Sequence, residues 1–179
     1  ELYGAPPLGA LVRVGDPSTY AVVTNIVTQG LDPSRRVVAR GRYENDEEAV
    51  YSNHPQLSRL LSTSLEALIL GYAEDDIALH YLPPAPPRIH AFVYRCTSQE
   101  VAWFTRNVDF LNLLVDPTSS VGDEVIAACL REAAVCHGHY GEAFLMRAGR
   151  ALAVGLGSQL NRLETLLIKI APKNLSGDD

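Results

Sequence analysis

Up to residue 96 the chain carries short apolar runs broken by turn-forming residues; beyond it, apolar residues recur every three or four positions. Runs of the first kind mark strands and the wider spacing marks helices. Leu8–Val14 (LGALVRV) is apolar and branched, and Gly15-Asp16-Pro17-Ser18 closes it with a turn. Tyr20–Thr28 (YAVVTNIVT) predicts a second strand, ended by Gly30-Leu31-Asp32-Pro33, and Arg36–Ala39 predicts the start of a third. Glu44–Glu48 (ENDEE) reads as an acidic loop. After His54-Pro55-Gln56, the residues Leu57, Leu60, Leu61 and Leu65 come close to helical spacing and predict a short helix. Leu65–Ala73 (LEALILGYA) reads as a buried strand, Asp75-Asp76 as a turn and Ile77–Leu82 as another strand. Pro83, Pro84, Pro86 and Pro87 enforce an extended connection. Ile89–Arg95 (IHAFVYR) alternates as a last strand.

At Thr97 the character changes. Thr97-Ser98-Gln99-Glu100 carries a capping signal, with Thr97 or Ser98 as N-cap. Val101, Phe104, Val108, Leu111 and Val115 predict one helix, stopped by Pro117. Val121–Val135 predicts a second helix, capped by Ser119 or Ser120, with Gly138 and Gly141 marking its end or a kink. Glu142–Leu152 predicts a third, and Gly155 and Gly157 separate it from a fourth, Ser158–Ala171, which Pro172 ends before a polar tail. Strands first and helices second favour an α+β class over a parallel α/β sheet. The expectation is a small antiparallel β-barrel over residues 5–96 and a bundle of about four helices over residues 97–173.

Composition narrows the function classes. Hydrophobic residues make up 47% of 179 and charged residues 20%, a balance that can bury a core. A net charge of −6 argues against a broad nucleic-acid footprint, although Arg35, Arg36, Arg40 and Arg42 fall close together and could meet phosphates on a hairpin. Exposed charges that keep a strand edge from pairing are the plainer account of them. No apolar run is long enough to span a bilayer as a helix. The first residues carry no basic segment or cleavage pattern, so no leader is expected. An odd number of cysteines, three, disfavours a disulfide framework, and the cytoplasm is the expected compartment.

Candidate chemistry is sparse. Cys129, Cys136, His137 and His139 are close in sequence, but there is no C-x-x-C pair, and buried thiols beside a polar helix end explain them without a metal. Glu132, His137, His139 and Glu142 could supply acid–base groups of an unrecognised enzyme site, or simply a solvated helix surface. No G-x-S-x-G occurs, and Gly155-Leu156-Gly157 follows a helix rather than the strand a dinucleotide fingerprint needs. No G-x-x-x-x-G-K-[ST] occurs, so no nucleotide-binding residue and no cofactor is assigned. Leu156, Leu160, Leu163, Leu167 and Ile170 form an apolar stripe that either packs within the helices or docks a partner or a second copy.

The stretches Pro7–Val14 and Tyr20–Val27, together with Leu65–Tyr72, Tyr81-Leu82-Pro83-Pro84 and Ile89–Tyr94, resemble the HAS-barrel family. That family's barrel is shared by HerA-type DNA-translocating ATPases and rotary ATP synthase subunits. The resemblance covers roughly residues 5–96 and implies a non-catalytic accessory or assembly role. In that role the barrel would pack against other barrels, contact a ring ATPase, or form a homo-oligomer.

Overall fold

The computed structural model describes residues 4–30, 49, 52–53 and 60–171. The strand expected at Arg36–Ala39, the acidic loop Glu44–Glu48, the helix start at His54–Leu57 and the polar tail lie outside the described residues.

The chain is α+β: a curled, five-stranded antiparallel sheet, a half-barrel, precedes the helices. The strands are β1 (Leu11–Val14), β2 (Thr19–Gly30), β3 (Leu61–Glu74), β4 (Ile77–Leu79) and β5 (Val93–Arg95), in spatial order β4-β3-β2-β1-β5. β1 pairs with β2 so that Leu11 faces Val22, and with β5 so that Arg13 faces Tyr94. The hairpin between β3 and β4 turns through Asp75 and Asp76, both at positive φ (47° and 60°), the backbone a two-residue primed turn requires. Five α-helices lie between residues 98 and 170: α1 (Ser98–Phe104), α2 (Leu111–Leu114), α3 (Asp123–Cys136), α4 (Gly141–Leu156) and α5 (Leu160–Ile170). A single 3₁₀ turn, Gly138–Tyr140, joins α3 to α4.

By its internal contacts the chain divides into two compact units, residues 1–5 with 25–66 and residues 6–24 with 67–179. In the first, the Thr28 and Thr63 hydroxyls bond at 2.8 Å and Ser64 Oγ donates to Val27 O at 3.5 Å. The second holds the main core. There Leu11, Tyr20, Val22 and Leu70 from the strands are buried together with Phe104, Phe110, Ile126, Leu130, Phe144 and Leu152 from the helical stretch. Phe104 is the hub: its ring stacks on Tyr20 (4.6 Å, 19°) and meets His80 edge-on (4.8 Å). Gly9 lets the chain entering β1 lie against α3, since a Cβ there would sit 2.7 Å from Ala128 Cβ.

Several local expectations are corrected. Leu61 and Leu65 belong to β3, not to a helix; with Thr63 they are half-buried, while Ser62 and Ser64 between them are exposed, a period-two pattern. The helix expected over 101–115 is two short ones. Thr105, fully buried, ends α1 by donating its hydroxyl to Val101 O at 2.7 Å, and Asn107 then forms a side-chain turn that accepts from Asp109 N. The Thr97 cap is present as a capping box: Glu100 N donates to Thr97 Oγ1, and Thr97 N donates to Glu100 Oε2 at 2.7 Å. Neither Ser119 nor Ser120 caps α3. Its N-cap is Gly122, and the acidic Asp123 and Glu124 in the first turn favour the helix N-terminus. Gly155 does not separate helices but lies inside α4, where a Cβ would meet Val115 Cγ2 at 2.9 Å; the break falls at Gly157, at φ 51°.

Candidate interaction edge

β1 and β5 carry the most distinctive surface of the second unit. Among the described residues β5 pairs with β1 alone, so its far side is an open strand edge. Cys96 N donates to Leu11 O at 3.0 Å. In an antiparallel ladder bonded pairs alternate, so Arg13 and Tyr94 form the next bonded pair. That alternation turns the N–H and C=O of Val93 and Arg95 outward.

The side chains around this edge are apolar and exposed: Ile89 is 87% exposed, Phe92 76% and Tyr94 51%, with Val93 exposed between them. Phe92 and Tyr94 lie on one face of the strand, with ring centroids 6.3 Å apart. Neighbouring exposed rings such as Phe92 and Tyr94 mark a contact surface, whereas scattered single residues need no explanation.

The edge is braced from behind. Arg13 lies over the Tyr94 ring, 4.9 Å from its centroid. Its Nε is 2.8 Å from Glu100 Oε1, an ion contact rather than an aligned hydrogen bond. Glu100 is the same carboxylate that closes the α1 capping box. On the other side Arg95 donates to Glu132 of α3 at 2.8 Å. Two helices thus hold the two arginines flanking Tyr94. A cavity of about 700 Å³ is lined by the Gly15–Pro17 turn, Thr19 and the Pro83–Ala91 segment that precedes this strand.

The sequence-derived candidates are dispersed. Glu132 is engaged by Arg95. His137 stacks on Phe144 (4.5 Å, 17°) and its Nε2 is 2.9 Å from Thr105 Oγ1. Because that hydroxyl donates its one proton to Val101 O, His137 donates through Nε2–H. His139 packs on Tyr140 instead, and Glu142 is exposed in the first turn of α4. Among the described residues no three His, Cys, Asp or Glu side chains gather as metal ligands. Arg35, Arg36, Arg40 and Arg42 lie outside the described residues. In the leucine stripe, Leu156 and Ile170 are buried and Leu163 half-buried, whereas Leu160 is 68% and Leu167 40% exposed. Among the described residues no helix is long and apolar enough to cross a membrane.

Burial pushes the Cys96 and Cys129 thiols up to about 12, in both cases aided by nearby carboxylates, so neither forms a thiolate near neutral pH. Cys136 is half-buried. A thiol reagent at pH 8 is therefore expected to modify Cys136 alone in the folded chain, and all three cysteines after denaturation. Rapid native labelling of two or three would contradict this packing; peptide mapping of the labelled sites distinguishes the cases.

Two histidines tie stability to pH. Burial, the largest effect, lowers the pKa of His80, opposed by its bond to Phe104 O and by Asp109. Burial likewise lowers that of His137, with repulsion from Arg147 and Arg106, opposed by its bond to Thr105. Both folded values lie below the ordinary 6.5, so the unfolded chain takes up protons first as pH falls. The stability of the neutral forms is present above 6.5 and is lost as pH falls toward the folded values. Tm is expected to drop from pH 7 to pH 5, and to drop less steeply in His80→Gln and His137→Gln. Equal slopes in all three proteins, by scanning calorimetry, would remove the histidines as the cause.

No family model, curated protein or solved structure matches the chain.

Proposed function

We propose that this chain is a non-catalytic accessory or assembly protein that uses its curled sheet as a rigid scaffold to contact a ring ATPase or another copy of itself. The observation that carries the reading is the open edge of β5 with Tyr94 exposed on it and Phe92 and Ile89 exposed in the segment that leads into it. An unpaired edge beside exposed aromatic side chains is a liability for a protein that binds nothing, and natural sheets blunt such edges. The HAS-barrel resemblance of residues 5–96 supplies the ring ATPase as the candidate partner, by analogy of fold region. These 179 residues hold no phosphate-gripping loop, so on this reading nucleotide chemistry lies outside them.

The test is capture from native lysate with wild type and Phe92→Glu as parallel baits, identified by mass spectrometry. Wild type is expected to retain a barrel-bearing ring ATPase or untagged copies of itself, and Phe92→Glu to lose them while keeping its circular dichroism spectrum. Identical capture by both baits, or an intrinsic hydrolytic activity of the purified chain, would overturn the reading.

A further inference from the structure

Resting on that reading of an assembly protein, we infer that the open edge of β5 pairs antiparallel with β5 of a second copy, about a two-fold axis through Tyr94. The outward groups decide the register. Val93 and Arg95 present N–H and C=O to the open side, so a second antiparallel strand must place its own outward pair against them. With Val93 of one copy opposite Arg95 of the other, both outward pairs are satisfied and four main-chain hydrogen bonds form. Tyr94 then faces Tyr94 at the central non-bonded pair, where side chains approach most closely.

The same register suits the side chains. Tyr94 and Phe92 share a face, so the two copies bring four exposed rings together and cover the apolar surface each leaves open. No like charges stand directly opposed, since each Arg95 faces a valine. The two Arg95 side chains are diagonal neighbours, and each is neutralised by its own Glu132; each Arg13 is neutralised by Glu100. A one-residue slip loses the bonds, and a two-residue slip keeps only one bonded pair, since Ala91 N and Thr97 N are already engaged, and in one direction sets Arg95 against Arg95; the register through Tyr94 forms the most bonds. An extended peptide could use the same hydrogen bonds, but only a second copy returns the aromatic face to itself.

Light scattering on the purified full chain is the first test. A dimer of twice 19.5 kDa is expected, dissociating on dilution. Val93→Pro removes an outward N–H without touching the ladder to β1, and is expected to weaken the dimer at least tenfold. In a Cys136→Ser background, Tyr94→Cys is expected to form an intermolecular disulfide on mild oxidation, because facing Cα atoms at a non-bonded pair lie within disulfide reach. Val93→Cys, which faces Arg95, is expected not to. A wild-type monomer at every concentration, or equal cross-linking at both positions, overturns the inference. If that monomer still captures a ring ATPase, the wider reading survives; if it captures nothing, both fall.

Discussion

Phe104→Ala is expected to lower stability by about 3–5 kcal/mol, the cost of emptying a fully buried aromatic site that cannot collapse. The site cannot close easily because four rings depend on this one. Tyr20 from β2 stacks on it, His80 beyond β4 and Phe110 before α2 meet it from other directions, and Trp103 adjoins it. In a chain of this length the loss would reduce Tm by roughly 10 °C or more. Phe104→Leu, which keeps most of the volume, is expected to cost well under half as much. A second readout separates this cavity from general destabilisation. His80 has a depressed pKa chiefly because it is buried against Phe104 and Phe110, so water entering the cavity should return it toward 6.5 in folded Phe104→Ala. An NMR titration of His80 that does not move, or a Tm loss of only a few degrees, would deny Phe104 its central place.

What the sequence reveals depends on how local each feature is. The Thr97–Glu100 capping box is written in four consecutive positions, and the structure forms it as the letters suggest. The strand at Tyr20 and the turn at Asp75-Asp76 are equally local. The helix expected over 101–115 fails because periodicity cannot register one buried hydroxyl: Thr105 turns to Val101 O, and Asn107 builds a turn in competition with the helix. The leucine stripe is split between packing and exposure for a different reason. Leu156 belongs to α4, and Gly157 at positive φ resets the helical phase before α5 begins. The inward residues of α5 are therefore Leu166 and Ile170, with Leu163 at the margin, while Leu160 points to solvent and Leu167 leans over Gly149.

The contact edge was half legible. IHAFVYR reads as a seven-residue alternating strand with one face buried, but only Val93–Arg95 pairs, because the chain turns at Ile89 and His90, the latter at φ 67°. Its exposure follows from where β5 sits in the strand order, a non-local property that no seven-residue window contains. The two arginine–carboxylate contacts that brace it join residues 87 and 37 positions apart, Arg13 with Glu100 and Arg95 with Glu132. Each is partly exposed and contributes little to stability alone. Their effect is on rotamer choice: they hold Arg13 across Tyr94 and Arg95 toward α3, which keeps the outer side of the strand clear.

Gly71→Ala is expected to be the most damaging single-methyl addition in the second unit. Gly71 lies in β3 just before Tyr72 pairs with Leu79, and its φ of 154° is one that side chains rarely adopt. A Cβ there would stand 2.0 Å from Leu79 O and 3.2 Å from His80 Cα, and both are backbone, so neither can rotate away. Accommodating it means lifting β4 off β3. That shift would carry His80 with it, lengthening the 2.9 Å bond to Phe104 O and loosening the aromatic hub from its sheet side. Overpacking costs about 1–3 kcal/mol and backbone strain a similar amount, so the sum is about 2–6 kcal/mol. Gly122→Ser is the matched control: nothing lies within 4 Å of its Cβ, its backbone is extended, and a serine there can cap α3. Its Tm is expected to be unchanged or slightly raised, while Gly71→Ala falls by roughly 10 °C. Similar melting temperatures for the two variants would mean that β4 does not press on β3 as described.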